Sequence, residues 1–444
     1  MEFYKKILLL LVISMFTIFG CSKDEDEGIL SLNVTQFKPS KNEVLLEWKL
    51  NLPEGIIMQD LKILRKEKNT EESGNNISEA VVIANLPTTE TTYKDLDIPY
   101  KLEVTYFVRI NYRILNDPEL LTYTLDSDEQ IYKRDLVLFG KVPVQVQQDP
   151  VDSNIFHILD KSGIGFLKQY SSAKKTITQS KKFTNGWQLN NKFHIYNNEV
   201  YVASTDGVIS KINANSYETT GNYKTETKDI LNAFAVDGDR VYYQDRDNWK
   251  YYTIATGISN STSMTLGTIY AETLSDNKIL FLYTQGLTIF GFSPEICNTL
   301  DCSPDTSYNP PYNAAQSKCK IDPYIFTWQP NKQKFISSYQ GWVINFSTFK
   351  PELNLNSITG KNYFQFAYDK DGNIFATVQG EKIIHKFNSN YELVDTIKTK
   401  LYPLFPMVTE NGLQVVGAYK QVSYWGYFYG YEFNFDVECA IETF

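Results

Sequence analysis

Along most of this chain apolar and polar residues alternate in short runs broken by Gly, Asn and Asp, the period of strands with one buried face. The first exception is the stretch from Ile7 to Phe19, thirteen continuous apolar residues behind Lys5 and Lys6. It falls short of the roughly 20 residues that span a bilayer and has the length of the apolar core of a secretory signal. Residues 1–20 are therefore expected to be a leader outside the fold.

From Leu30 onward strands and turns follow each other at the spacing of a sandwich. Leu46, Trp48 and Leu50 share one face of a predicted strand, and Leu102, Val104, Tyr106, Val108 and Ile110 share one face of a longer one. This predicts a first domain over 29–134 with Trp48 and Tyr106 in its core. The rest, 135–444, carries a repeat of turn, aromatic strand, Asp-Gly turn and second strand. It is clearest from Asn198 to Ile212 and from Asp371 to Phe387. Weaker copies start near Ser153, Gly238, Asp276, Tyr324 and Asn411, giving seven units at intervals of about 40 to 50 residues, the spacing of four-stranded propeller blades. The run from Leu136 to Phe139, together with Pro143 to Val146, is expected to close the ring against the last blade. Residues 293–323, with five prolines and three cysteines, read as a long loop.

The fold class that follows is all-β: an immunoglobulin-like sandwich, then a β-propeller of seven blades, with six or eight as alternatives. Composition agrees. Of 444 residues 42% are apolar and 21% charged, and 31 Tyr and 27 Phe against 5 Met favour half-buried pleated surfaces. A net charge of -9, which becomes -10 without residues 1–20, opposes a nucleic-acid partner, since phosphates require a basic face.

Several short segments resemble known families. Ile18-Phe19-Gly20-Cys21 resembles the lipobox of bacterial lipoproteins, which implies cleavage before Cys21 and acylation of that residue. Ser22-Lys23-Asp24-Glu25-Asp26-Glu27 is similar to the acidic export signal of surface-exposed lipoproteins of Bacteroidota, which implies an outer-membrane protein facing the cell exterior, tethered over 21–28. Trp48, the segment from Tyr93 to Ile98 and the strand bearing Tyr106 resemble a fibronectin type III domain. The repeat resembles propellers in general and carries no WD, kelch or sialidase-box signature. Asp395-Thr396-Ile397 resembles the O-glycosylation acceptor of Bacteroidota, which makes Thr396 a candidate modification site.

Candidate chemistry is sparse. Cys297, Cys302, Cys319 and Cys439 are disulfide candidates, with three possible connectivities. Their spacing, with no nearby His, is weak for zinc. His157, His194 and His385 each lie in or beside a predicted strand, and alternation would turn them away from their apolar neighbours into satisfied or solvent-facing positions. Asp369-Lys370-Asp371-Gly372-Asn373 reads as a hairpin turn sooner than as a calcium loop, lacking the final bidentate Glu. Trp425, Tyr427, Tyr429 and Tyr431 fall on one face of an aromatic run and could form a binding platform. No catalytic residue, metal site or cofactor is expected. The sequence points to a non-catalytic surface lipoprotein, an accessory scaffold for an integral outer-membrane β-barrel protein and associated surface lipoproteins. A glycan-binding surface protein is the alternative, and a propeller enzyme ranks third.

Overall fold

The computed structural model describes residues 28–68, 79–134, 136–160, 165–183, 192–204, 207–225, 227, 233–245, 248–262, 268–274, 278–284, 292–298, 326–338, 340–348, 350–422 and 437–444. The leader, Cys21 and the acidic tether, Cys302, Cys319 and the aromatic run 424–433 lie outside these residues. Among the described residues strands form nearly all the regular structure, with one short helix, Asn356–Thr359. No helix among the described residues is long and apolar enough to cross a membrane. The chain divides into two compact units between Asp135 and Leu136.

The first unit holds two sheets. One pairs Ser31–Pro39, Val44–Asn51 and Thr92–Asp95. The other runs Val81–Leu86, Ile56–Lys68, Glu103–Ile114 and Tyr123–Asp126, with Gln130–Lys133 also on Glu103–Ile114. Leu32, Leu46 and Trp48 from the first sheet meet Leu61, Ile63 and Val108 from the second in one core. Alternation placed Trp48 and Tyr106 correctly because each sheet keeps one face for this core. The segment from Tyr93 to Ile98 has a specific use. Asp95 Oδ2 accepts from Tyr106 Oη at 2.8 Å and from Arg65 Nη1 at 3.0 Å, Asp95 Oδ1 accepts from the Asp97 N–H, and Ile98 enters the core.

The second unit is a series of antiparallel sheets. They cover 143–182, 194–224, 234–261, 268–298, 326–354, 363–398, and finally 402–418 with 438–443. Among the described residues these are seven sheets, each four-stranded except the fourth, which has three. Val137–Lys141 forms the fourth strand of the last sheet, pairing with Glu438–Thr443, and Pro143–Gln148 then opens the first, so the series closes on itself. Of the two stretches expected to close the ring, only the first supplies the closing strand, which runs Val137–Lys141. Residues 143–146, expected beside it, start the first sheet instead, because the peptide turns at Val142 into the core.

The repeat seen in the sequence is the hairpin between the second and third strands of a sheet, entered by the turn from the first. Second strands are covered on both faces: Ile374–Val378 is buried throughout, and Glu199–Ala203 and Arg240–Asp245 nearly so. Fourth strands such as Leu393–Lys398 are mostly exposed and leave little apolar signature. The fifth copy sits one strand early. Phe326–Trp328 is a first strand, and Lys334–Ser337 is the second. Residues 293–298 are not loop: Phe292–Asn298 pairs with Lys278–Thr284 as the third strand of its sheet, with Pro294 opposite Leu282. A proline in a strand masked this, since it removes one ladder donor without breaking the extended backbone.

Polar staples join neighbouring sheets. Tyr170 Oη donates to Gln414 Oε1 at 2.8 Å and Gln414 Nε2 to the Ser172 carbonyl at 3.0 Å, locking the first sheet to the last. Thr377 Oγ1 donates to the Leu404 carbonyl at 2.9 Å, and Thr273 Oγ1 to the Val236 carbonyl at 2.6 Å.

Candidate functional site

The first strands of the first, fifth, sixth and seventh sheets border a space of about 440 Å³, which Lys192 and Glu272 also line. Pro143–Gln148 shows how the sequence builds its wall. Val144 packs with a core cluster between the first two sheets, while Gln145 and Gln147 take the alternate positions. Gln145 is fixed by accepting from the Phe193 N–H at 3.0 Å and donating to Gln147 Oε1 at 3.0 Å. Glu272, the carboxylate of the wall, is engaged by its own strand and by the next sheet: Tyr270 Oη and Trp328 Nε1 each donate to Oε2 at 2.8 Å, and Lys332 Nζ lies 3.9 Å from Oε1. Burial, with Glu272 alongside, pushes the Tyr270 hydroxyl well above its ordinary pKa, so it remains a donor. Lys192 lies over the Tyr270 ring at 4.8 Å.

Other lining groups are unspent. The side-chain nitrogens of Gln147 and Gln365 donate to no protein group among the described residues, and the buried Tyr368 hydroxyl has no partner there. Together with the rings of Phe326 and Trp328 they make a lining of amides, a phenol and aromatic faces, suited to an uncharged polar ligand.

His157 and His385 are inside the sheets, not turned to solvent, because their strands are covered on both faces, while His194 is half-buried. His157 Nε2 faces Asp149 Oδ2 at 2.9 Å and its Nδ1 faces Tyr217 Oη at 2.7 Å. A neutral ring with its proton on Nε2 satisfies both contacts, donating to Asp149 and accepting from Tyr217. Burial lowers the His157 pKa, partly opposed by Asp149. Burial raises the Asp149 carboxyl, but His157 and the N–H groups of Asp152 and Val151 outweigh it and hold the carboxyl below its ordinary value. This Tyr-His-Asp chain has the order of a proton relay, yet Tyr217 is fully buried in a turn of the second sheet and bridges it to the first. His385 Nδ1 faces Tyr363 Oη at 3.0 Å, and burial and Lys361 lower its pKa. His194, half-buried edge-on to Phe234, is pushed down to about 4 by burial and by Lys192.

Among the remaining candidates, Cys439 is a free thiol, not part of a disulfide. Its strand lies between Gly140 and Ala418, Sγ points to the Val437 carbonyl at 3.8 Å, and the residue is buried in the core. Cys297 lies on the strand Phe292–Asn298 opposite Ile279. Thr396 is exposed on an outer strand opposite His385. The Asp369 carboxylate accepts from the Asp371 and Asn373 N–H groups at 2.9 and 2.8 Å, so it closes its own hairpin. Trp425, Tyr427, Tyr429 and Tyr431, like Cys21 and Ser22 to Glu27, lie outside the described residues. Among those described, no three His, Cys, Asp or Glu side chains gather as metal ligands.

No known protein family and no curated protein matches the chain. Among solved structures it is similar to BamB from Moraxella catarrhalis, with a TM-score of 0.39 and 12% identity over 76% of this chain and 91% of that one.

Proposed function

We propose that the chain is a lipid-anchored surface protein of the outer membrane whose second unit is a protein-binding scaffold, an accessory subunit of an integral β-barrel complex in transport or assembly. The seven sheets are read as blades of a seven-bladed propeller, and the first unit as a fibronectin type III-like spacer. The observation that carries the reading is the build of that spacer. The chain enters it where Ser31 pairs with Asn51 and leaves it where the Arg134 N–H donates to the Leu102 carbonyl, at opposite ends of the strand Glu103–Ile114. Twelve strand residues cover about 40 Å, which separates an anchored N-terminus from whatever follows. The engagement of Glu272 by Tyr270, Trp328 and Lys332 supports a non-catalytic role, since that carboxylate already serves to hold sheets together. The test is affinity isolation of the acylated chain from its own membranes in mild detergent. A stoichiometric integral β-barrel partner is expected, and recovery of the chain alone would overturn the proposal.

A second reading has its own observation. The unspent amides of Gln147 and Gln365 and the Tyr368 hydroxyl, beside Trp328, would suit a glycan ring in the 440 Å³ space. Glycan-array binding that Gln365→Leu abolishes would favour it, and a blank array would end it.

A further inference from the structure

Most of the exposed large apolar side chains described in the first unit lie at the end where the chain enters it, while Val81, Val82, Leu96 and Ile131 are exposed elsewhere on it. Ile29 is 64% exposed, Leu115 60% and Leu120 65%, and Leu52, Ile114 and Leu121 are exposed with them. Strand register brings these residues together. Asn51 Nδ2 donates to the Ile29 carbonyl at 3.0 Å, Ile56 pairs with Ile114, and the Leu115 N–H donates to the Gly55 carbonyl at 2.8 Å. The loop that follows is built to hold Leu120 in place. Leu120 takes a left-handed φ of 52°, a strained conformation for a leucine, and its N–H donates to the Asp117 carbonyl at 3.1 Å. The Asp117 carboxylate in turn accepts from the Glu119 N–H at 3.0 Å and from Tyr123 Oη at 2.9 Å. The opposite end carries ion pairs, Lys133 with Glu103 and Lys66 with Glu129, with Ile131 exposed among them. An apolar cluster of this size at one end of the module marks a surface that something covers.

We propose that this end rests on the lipid leaflet that holds the acyl chain of Cys21. The inference rests on the lipid-anchor reading above. Seven residues, Ser22 to Gly28, separate Cys21 from the first strand's approach, and fully extended they reach only about 25 Å. The apolar end is therefore the part of the module that the tether keeps near the leaflet. Glu54 and Glu119 are exposed on the same two loops with Arg113 beside them, so charge does not drive this contact, and a leaflet of zwitterionic headgroups tests its apolar part. Leucine and isoleucine side chains would enter the interface while the loop carbonyls and carboxylates stay with the headgroups.

The experiment uses the acylated full chain on phosphatidylcholine nanodiscs, the soluble Cys21→Ser chain, and an acylated chain with Leu115→Ser, Leu120→Ser and Leu121→Ser. Amide hydrogen exchange is read by peptide mass spectrometry. Residues 52–57 and 113–122 of the acylated chain should exchange several-fold more slowly than in the soluble chain, with 126–134 unchanged. The triple variant, whose replaced side chains are exposed and outside the core, should stay on the nanodisc and lose that protection. Equal exchange at 113–122 in the anchored and soluble chains would overturn the inference. So would protection of the soluble chain that appears without lipid as its concentration rises, which would mean a second copy covers the end. An N-terminal peptide carrying no acyl mass would instead overturn the anchor reading, and the inference with it.

Discussion

The hydroxyl of Tyr106 donates to Asp95 Oδ2 at 2.8 Å inside the first unit, and Arg65 Nη1 reaches the same oxygen at 3.0 Å. Burial, with the Asp95 carboxylate beside it, pushes the Tyr106 hydroxyl far above its usual pKa, so the phenol is a permanent donor. Tyr106→Phe removes one of the three donors to a buried carboxylate and should cost about 1–3 kcal/mol. The urea midpoint of the first unit's transition reports this. Tyr123→Phe, whose hydroxyl meets Asp117 at the surface, should leave that midpoint nearly unchanged.

Acid should weaken the second unit before its carboxylates titrate. His157, His194 and His385 are all held below the ordinary histidine pKa, chiefly by burial, so they stay neutral when folded and take up protons near pH 6.5 only when unfolded. The unfolded chain then binds more protons below about pH 6.5. Stability falls as pH drops through that value, by up to roughly 1.4 kcal/mol per pH unit for each histidine. For His194 the loss continues down to about 4. The lowered Asp149 carboxyl adds a further loss only at still lower pH. Urea midpoints near pH 8, 6 and 5 should decline in that order, and a rise on acidification would contradict this account.

Two glycines with similar backbones should respond differently. Gly207 has φ +78°, and a Cβ there would sit 2.4 Å from the Thr227 carbonyl oxygen, whereas Gly238 at φ +60° faces open space. Gly238→Ala carries only the left-handed strain, about 1 kcal/mol. Gly207→Ala adds a backbone clash and should cost about 2–4 kcal/mol. Thermal unfolding of the two variants side by side separates the contributions.

Cys439 should resist thiol reagents in the folded chain. Burial, reinforced by Asp160, drives its thiol pKa well above the ordinary value, leaving almost no thiolate. Mass spectrometry after iodoacetamide should find residue 439 unmodified in buffer and alkylated in guanidinium. Alkylation in buffer would mean that the last sheet opens readily.

Much of this architecture was legible in the chain, for reasons that differ from strand to strand. Trp48 and Tyr106 announced themselves because a sandwich strand has one dry face. The strand Ile374–Val378 did so because it is dry on both. The outer strand Leu393–Lys398, exposed along most of its length, has no such pattern, and Phe292–Asn298 was hidden by Pro294. The site was far less legible. His157 meets Tyr217 across 60 residues of sequence, and Glu272 meets Trp328 across 56, contacts that only sheet-to-sheet packing creates. One signal was available. In Pro143–Gln148, Gln145 and Gln147 alternate with Val144 and Val146, the polar-apolar period of a strand, and this strand lines the 440 Å³ space.

The claim that this chain is the anchored accessory of a larger outer-membrane assembly is tested most directly by cross-linking in intact cells with an amine-reactive reagent, followed by mass spectrometry. Lysines of the second unit, such as Lys332 and Lys398, should link repeatedly to one integral β-barrel protein. Links confined to the chain itself, under conditions that capture known membrane complexes, would contradict the account.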